Sequence, residues 1–127
     1  MTAPADKTAT RMAAEARGRA AESRAEAALA AEGFFALARR VRTPAGEIDL
    51  IVARDGLLVF VEVKARATLS EAAFSLGARQ QGRLLAAGEW WLGQNPGQGV
   101  AGVRFDVLLV DGAGRMRRIA DAFRIGD

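Results

Sequence analysis

The sequence predicts a single α+β domain built around a mixed sheet, and three observations lead to that class. An alanine-, glutamate- and arginine-rich segment at residues 12–32 has high helix propensity and precedes three runs rich in β-branched and large apolar residues. An amphipathic helical stretch at residues 77–93 separates those runs from two further strand-like runs. This order of elements is typical of an α+β fold with a mixed sheet. No repeat or linker divides residues 12–127, so one domain is expected.

The chain is expected to begin with a tail, a helix and a strand. Residues 1–11 are predicted to form a disordered tail, and the helix at residues 12–32 is expected to stop at Gly33. Residues 34–42 have the composition of a first strand. The Thr-Pro-Ala-Gly sequence of residues 43–46 predicts a turn, because its proline comes early and its glycine comes last.

The next two strands are predicted to form a β-hairpin. Residues 48–52 and 57–63 are strand-like, and Asp55-Gly56 is the strongest short-range signal for a two-residue type I′ turn between them. The turn determines the register of the pair. One face is expected to carry the apolar pairs Val52–Val59, Leu50–Val61 and Ile48–Val63. The other face is expected to carry Ala53–Leu58, Ile51–Phe60, Asp49–Glu62 and Glu47–Lys64.

The second of these faces has an unusual arrangement of charge. Facing residues have Cβ atoms about 4.5–5.5 Å apart, so Asp49 and Glu62 would place two carboxylates side by side. Such a pair costs stability unless a cation lies between its members, and sites made of carboxylate oxygens suit Mg²⁺ or Mn²⁺. Lys64 points the same way as Glu62, because strand side chains alternate. The hypothesis is a divalent-metal site beside Lys64; the alternative is a solvated face with a Glu47–Lys64 ion pair.

Lys64 itself favours the first interpretation. It is one of two lysines in a chain with sixteen arginines. Arginine is a planar group that stays charged, whereas lysine is a compact point charge that can lose its proton when it is desolvated. A lysine at an interior strand position therefore suggests a specific role.

The second half of the chain supplies the remaining elements. Residues 68–74 predict a capping box followed by a short helical segment. Strands are predicted at residues 103–110 and 115–120. Asp106 lies on the same side of its strand as Arg104, and a structural ion pair or cap is the better interpretation of this residue.

The composition excludes several classes of chemistry. The chain has no histidine, which excludes Ser-His-Asp hydrolases and histidine-metal nucleases, and no cysteine, which excludes thiolate chemistry and disulfides. Hydrolysis would therefore have to use carboxylates, lysine and a hard metal. No run approaches the roughly 18 apolar residues of a membrane span, and the amino terminus lacks the pattern of a secretory signal. A cytoplasmic protein without membrane association is expected.

The arginines are clustered along a chain of formal net charge +3. The clusters fall at residues 11–24, 39–42, 79–83 and 115–118. Basic clusters around an acidic site suit a polyanion that is held by its phosphates and cut at a metal. The alternative is that arginine serves solubility in an alanine- and arginine-rich proteome.

The motifs resemble a known nuclease signature. The spacing of Asp49 and Glu62-Val63-Lys64 resembles the PD-(D/E)xK signature in its relaxed form without the proline. The longer strings at residues 46–51 and 60–66, Gly-Glu-Ile-Asp-Leu-Ile and Phe-Val-Glu-Val-Lys-Ala-Arg, are similar to the YraN-like family of small, uncharacterised bacterial proteins. That family is grouped with Holliday-junction-resolvase-like nucleases.

The resemblance implies a fold and a set of site residues. The fold is a restriction-endonuclease-like core of α/β/α type, in which helices flank a mixed central sheet, within a single nuclease-like domain. The implied metal ligands are Asp49, Glu62, the backbone carbonyl of Val63 and an additional acidic residue from the first helix, Glu22. Lys64 is implied as the catalytic amine beside the acidic residues Asp49, Glu62 and Glu22.

Contacts with nucleic acid are expected from Arg66, Arg79, Arg83 and Gln80. The chain differs from the family at its second long helix, which often begins with a lysine and here reads Ala-Arg-Gln-Gln at residues 78–81. Resolvases of the related group act as dimers, so the resemblance also implies a homodimer.

The predicted function is that of a Mg²⁺- or Mn²⁺-dependent endonuclease acting on branched or structured DNA. The main alternative is a non-catalytic nucleic-acid-binding or accessory protein of DNA recombination or uptake, with a vestigial nuclease site. A structural interaction protein is the third alternative.

Overall fold

The computed structural model describes residues 5–123, which form three helices and one five-stranded sheet. The elements in chain order are α1 (Ala5–Ala30), β1 (Phe35–Thr43), β2 (Gly46–Arg54), β3 (Leu57–Ala65), α2 (Leu69–Phe74), α3 (Ala78–Gln94), β4 (Gly102–Val110) and β5 (Met116–Phe123). The strands lie in sequence order across the sheet. All neighbouring strands are antiparallel except β3 and β4, which are parallel because α2 and α3 form a crossover connection between them.

Helices cover both faces of the sheet. On one face, Ala25 and Leu29 of α1 pack in a buried cluster with β-strand residues that include Leu50 and Val61. On the other face, a second cluster contains residues of both remaining helices, namely Ala72 of α2 and Leu84, Ala87 and Trp91 of α3. This confirms the predicted α+β class with a mixed central sheet flanked by helices, an architecture consistent with a restriction-endonuclease-like core.

The hairpin of β2 and β3 has the predicted turn. Asp55 and Gly56 have φ angles of 51° and 82°, the left-handed values that a type I′ turn requires. The five pairs from Arg54–Leu57 to Leu50–Val61 have the predicted register. The ladder ends there, so the pairs expected beyond it, including Asp49–Glu62 and Glu47–Lys64, are not part of it.

The regular alternation of β2 is also interrupted at this point. Leu50 packs in the cluster under α1, whereas Ile48 packs with Ile51 and Phe60 in the cluster under α3. The prediction that Ile48 shares a face with Leu50 is therefore wrong. A side chain two residues further along a regular strand would return to the same face, so the chain must rotate between these positions.

The amino-terminal helix is longer than predicted. It begins at Ala5 rather than at residue 12, so residues 5–11, expected in a disordered tail, are helical, and residues 1–4 lie outside the described residues. The described side chains at residues 7–17 are exposed, so this part of the helix does not pack against the sheet. It forms because alanine, lysine and arginine have high helix propensity. No helix between residues 5 and 123 is long and apolar enough to cross a membrane.

Two local predictions in the second half of the chain are confirmed. Thr68 is the N-cap of α2, and its hydroxyl oxygen accepts a hydrogen bond from the Glu71 amide at 3.1 Å. Asp106 is 1% exposed and accepts two hydrogen bonds from the Arg104 guanidinium, at 3.0 and 2.6 Å. Its Oδ1 atom also accepts a bond from the Asp121 amide, which ties β4 to β5.

Helix α3 lies unusually close to the sheet at Gly88. A Cβ atom at this position would lie 2.7 Å from Cζ of Phe105 and 3.1 Å from Cε2 of Phe60. The Phe60 and Phe105 rings pack on each other with their centroids 5.0 Å apart, so neither has space to move away. A glycine at this position therefore lets α3 pack closely on β3 and β4.

Alanine substitution at two glycines of α3 tests this packing. Gly88→Ala is expected to lower the free energy of unfolding by about 1–3 kcal/mol, since overpacking outweighs the gain in helix propensity. Gly82→Ala is the matched control, because nothing lies within 4 Å of its added Cβ, and it is expected to stabilise the chain by roughly 0.5–1 kcal/mol. Urea denaturation measures both; equal effects at the two positions would contradict the close approach at Gly88.

Candidate functional site

The candidate site lies where β2 and β3 separate. Beyond the last ladder pair, the Val63 amide donates a hydrogen bond to Oδ2 of Asp49 at 2.8 Å. The aspartate side chain thus supplies the acceptor that a regular antiparallel ladder would take from the backbone. On the other side of β2, Arg40 of β1 has a φ of 50°, which marks a local irregularity in the strand beside Asp49. The Asp49 side chain is therefore held in the gap between two strands.

Glu62 and Lys64 of β3 contribute the second half of the site. Glu62 is 7% exposed, and its Oε1 atom lies 3.3 Å from Nζ of Lys64, whose side chain is 14% exposed. The predicted placement of these two side chains on one side of β3 is confirmed by this contact. Glu47 is exposed, and Lys64 pairs with Glu62 instead, so the alternative of a solvated face with a Glu47–Lys64 ion pair is wrong.

The two buried carboxyl groups influence each other strongly. Burial raises the pKa of Asp49 from its ordinary 3.8 to about 8; the neighbouring Glu62 charge adds to this effect, and the Val63 amide opposes it. Burial also raises the pKa of Glu62, whereas the Lys64 ammonium and a hydrogen bond from Asp49 lower it. Near neutral pH, burial beside Glu62 therefore favours the protonated form of Asp49.

Glu22 of α1 approaches the same pair but has a partner of its own. Its Oε2 atom accepts a hydrogen bond from Nε of Arg40 at 2.9 Å. Beyond the effect of burial, the Glu22 charge also contributes to the raised pKa of Asp49 and of Glu62. The structure thus places Glu22 near the predicted site, held to one side by Arg40.

A groove of about 300 Å³ opens onto the two carboxyl groups. Its wall opposite Asp49 and Glu62 is formed by the first turns of α3, which contribute Gln80 and Arg83. Nη2 of Arg83 donates a hydrogen bond to Oε1 of Gln80 at 2.5 Å, so the two side chains form one polar unit at the groove edge. Arg79 is exposed on the same helix but does not line this groove.

The donor set fits a hard divalent cation. Burial raises the pKa values of both carboxyl groups, and the Glu62 charge raises that of Asp49 further, so a cation placed beside them would stabilise their charged forms. Mg²⁺ commonly uses only one or two protein carboxylates and keeps several waters. Within residues 5–123, no three carboxylate side chains converge closely enough to hold an ion by themselves. Val63 contacts Asp49 through its amide, and the ligand role of its carbonyl stays a prediction.

Arg40 is the site residue that sequence reasoning missed. In the sequence it is only one member of the basic cluster at residues 39–42, yet its side chain binds Glu22 near the carboxyl pair. No local pattern identifies it, since its partner is eighteen positions away on another element. Arg66, expected to contact nucleic acid, lines a different cleft with α1.

The raised pKa of Asp49 makes the stability of the chain pH-dependent. Between about pH 4 and pH 8 the folded chain binds more protons at this site than the unfolded chain, so stability falls as pH rises. Asp49→Asn keeps an acceptor for the Val63 amide and removes the titration. It is expected to be more stable than the wild type by about 1–3 kcal/mol near pH 8, with the difference shrinking towards pH 4.

Thermal unfolding across this pH range measures the effect. Glu47→Gln, which removes an exposed carboxylate of the same strand, serves as the control and is expected to leave the pH dependence unchanged. If the difference in stability between the wild type and Asp49→Asn does not vary with pH, the raised pKa of Asp49 is contradicted.

Comparisons with known proteins place the chain among its relatives. The sequence pattern of Uncharacterised protein family UPF0102 matches residues 21–110, which contain Glu22, Asp49, Glu62 and Lys64. A UPF0102 protein of Granulibacter bethesdensis is 56% identical over 110 residues, which cover 87% of this chain and 70% of the relative. A UPF0102 protein of Azorhizobium caulinodans is 48% identical over 96% of this chain and 95% of its own length. A UPF0102 protein of Acidiphilium cryptum is 50% identical over 95% of this chain and 94% of its own length. The chain therefore belongs to the UPF0102 family, the YraN-like family that its motifs resemble.

Proposed function

We propose that this protein is a metal-dependent endonuclease that hydrolyses phosphodiester bonds of DNA, with Asp49, Glu62 and Lys64 at its centre. One observation supports the proposal above all others. The fold brings two carboxyl groups together in a largely buried position, next to an amine and at the base of a groove. Carboxylates, a lysine and a hard metal are also the groups left for hydrolytic chemistry in a chain without histidine or cysteine.

The contrast with the other buried acidic residues supports a functional role. Asp106 is neutralised by a two-pronged arginine contact and a backbone amide. Asp111 is bound by the Arg115 side chain and by two backbone amides. Asp49 and Glu62 instead share one ammonium and one amide and repel each other. A structural role does not require this arrangement, because burying unpaired charge is costly and functional sites are where such perturbations concentrate.

The roles of the residues follow from their positions. Asp49 and Glu62 would hold a Mg²⁺ or Mn²⁺ ion, with the Val63 carbonyl as an additional ligand and Glu22 joining after it releases Arg40. When bound, the metal polarises the phosphate and lowers the pKa of a coordinated water. Lys64 orients the attacking water or offsets charge that develops on the phosphate, since its amine lies within 3.3 Å of the Glu62 carboxylate.

The groove wall suits a phosphate backbone. Arg83 and Gln80 face the carboxyl pair across the groove and offer N–H donors, and Arg79 lies one helical turn before Arg83. Guanidinium groups bind phosphate through paired hydrogen bonds, whereas an isolated acidic groove would repel a polyanion. This arrangement favours nucleic acid as the substrate, and branched or structured DNA remains the predicted form. The cytoplasmic location and the homodimer likewise stay predictions.

A second candidate function is a nucleic-acid-binding or accessory protein with a vestigial site. The observation that favours it is the Arg40–Glu22 contact, because the third carboxylate is already paired with an arginine and the three carboxylates do not form a metal-binding group within residues 5–123. In that case Lys64 would act as a permanent counter-ion to Glu62, and the protein would bind nucleic acid without cutting it. Metal-dependent turnover separates the two candidates.

Cleavage assays test the proposed activity. Labelled branched, flap, single-stranded and duplex DNA, with matching RNA, are incubated with Mg²⁺ or Mn²⁺ and with EDTA. The wild type is expected to cut DNA with either metal and not with EDTA. Asp49→Asn, Glu62→Gln and Lys64→Ala are each expected to lose about 10²–10⁴-fold in rate. Glu89→Gln, an exposed carboxylate on α3, is the control and is expected to keep wild-type activity.

Equal activity of the wild type and the three site variants would assign the cleavage to a contaminant or to another site. Binding of the same DNA without any cleavage by the wild type would instead support the accessory protein. If the wild type cleaves RNA but not DNA, DNA is rejected as the substrate, whereas the proposed metal-dependent site stands.

Isothermal calorimetry tests the metal site separately from catalysis. Mn²⁺ binding is expected to release a proton from the carboxyl pair below about pH 8, so apparent affinity should rise with pH and then level off. Repeating the titration in buffers of different ionisation enthalpy measures the proton release. Glu62→Gln is expected to abolish binding, whereas Glu89→Gln, an exposed carboxylate outside the groove, should retain it; binding that is equally strong in Glu62→Gln would place the ion elsewhere.

A further inference from the structure

A second cleft lies between α1 and the carboxyl ends of β3 and β4. It has a volume of about 560 Å³ and is distinct from the groove beside Asp49. Most of its lining residues are alanine or glycine, which leaves the space open. Three arginines surround it, namely Arg17 and Arg24 of α1 and Arg66, which follows β3.

These three arginines have no carboxylate partners among the residues that the structure describes. The Arg17 side chain makes no hydrogen bond or ion pair within residues 5–123. Arg24 and Arg66 donate only to backbone carbonyls, of Gly114 at 3.3 Å and of Ala65 at 2.7 Å. Elsewhere in the described chain, five arginines are paired with carboxylates, at positions 39, 40, 104, 115 and 118. The cleft is therefore a place where positive charge is gathered without an internal counter-charge.

The one acidic residue that lines the cleft is already occupied. Asp111 accepts hydrogen bonds from the amides of Ala113 and Arg115 and from the Arg115 guanidinium, within its own turn. It is 7% exposed, so it offers little charge to the cleft. Converging like charges repel each other, and an anion from solution would relieve that repulsion.

The position of the cleft relates it to the proposed metal site. Arg66 follows Lys64 by two residues, a distance of about 6.6 Å along an extended chain. Glu22 lies on α1 between the two cleft arginines of that helix. The two parts of the chain that supply the cleft arginines thus also supply residues of the candidate site. In addition, β3 and β4 are parallel, and ligands commonly bind beyond the carboxyl ends of such strands.

We propose that this cleft binds the sugar–phosphate backbone of a polynucleotide strand next to the site of cleavage. The inference rests on the proposed function for the class of substrate, and it adds a metal-independent binding site formed by Arg17, Arg24 and Arg66. The volume exceeds that of a single phosphate and lies in the range of ligand-binding pockets. Three guanidinium groups without carboxylate partners suit successive or bridging contacts to phosphate oxygens.

Fluorescence anisotropy in EDTA tests the cleft without involving the metal site. The probe is a labelled single-stranded DNA of about 12 nucleotides, together with its duplex, titrated over a range of salt concentrations. Arg17→Gln and Arg66→Gln are compared with matched controls, Arg19→Gln on the same helix and Arg117→Gln on β5. Both controls are exposed arginines outside the cleft, and circular dichroism checks that all variants fold.

Each cleft variant is expected to bind about three- to tenfold more weakly than the wild type. The slope of log affinity against log salt should decrease by about 0.7 per arginine on single strands and by about 0.9 on duplex. The control variants should change neither quantity appreciably. Equal losses in cleft and control variants, or no binding by the wild type, would overturn the inference.

Competition separates a polynucleotide from smaller phosphate ligands. Inorganic phosphate and a mononucleotide are expected to displace the probe only at far higher concentrations than an unlabelled oligonucleotide. Displacement at similar concentrations would assign the cleft to free phosphate or nucleotide instead and would overturn the proposal. If the wild type does not cleave DNA but the cleft variants bind it more weakly, the proposed nuclease activity is rejected and the cleft proposal stands. If the wild type cleaves DNA but all variants bind it equally well, the cleft proposal is rejected and the proposed activity stands.

Discussion

The early end of the β2–β3 ladder is the constraint on which the candidate site depends. As far as Leu50 and Val61, the two strands pair through their backbones. Beyond that point the Asp49 side chain accepts a hydrogen bond from the Val63 amide. The backbone donor is therefore satisfied although the strands no longer pair there. The separation creates room for carboxyl groups between two strands of a sheet that is otherwise covered on both faces.

This geometry explains why two acidic residues tolerate burial together. Burial raises the pKa of Asp49, which favours its protonated form near neutral pH, and the Glu62 carboxylate contacts the Lys64 ammonium, so the pair carries little net charge. The surrounding basic residues are divided between two places. Arg83 lies across the groove, and the three arginines of the second cleft lie beyond the carboxyl end of β3. The carboxyl pair is therefore flanked by basic groups on two sides, and the proposed polyanion substrate rests on this distribution of charge.

Several features of the fold and site were predictable because they are encoded over short distances. The Asp55-Gly56 turn determined the hairpin register for five pairs, and the capping box at Thr68 determined the start of α2. The Arg104–Asp106 pair followed from alternation along one strand. The start of α1 was misplaced, because propensity has no clear limit in an alanine-rich segment that makes few contacts.

The sequence by itself determined which chemical groups are present, the hairpin register as far as Leu50, and the membership of the family through its Gly-Glu-Ile-Asp and Glu-Val-Lys strings. Only the tertiary structure decided how those groups meet. The rotation of β2 between Ile48 and Leu50, the Arg40 contact with Glu22, and the grouping of Arg17 with Arg66 all depend on packing between elements far apart in the chain. Local propensity and alternation describe neighbours along one strand or helix, whereas these contacts arise from the way a helix and a neighbouring strand are held against the sheet.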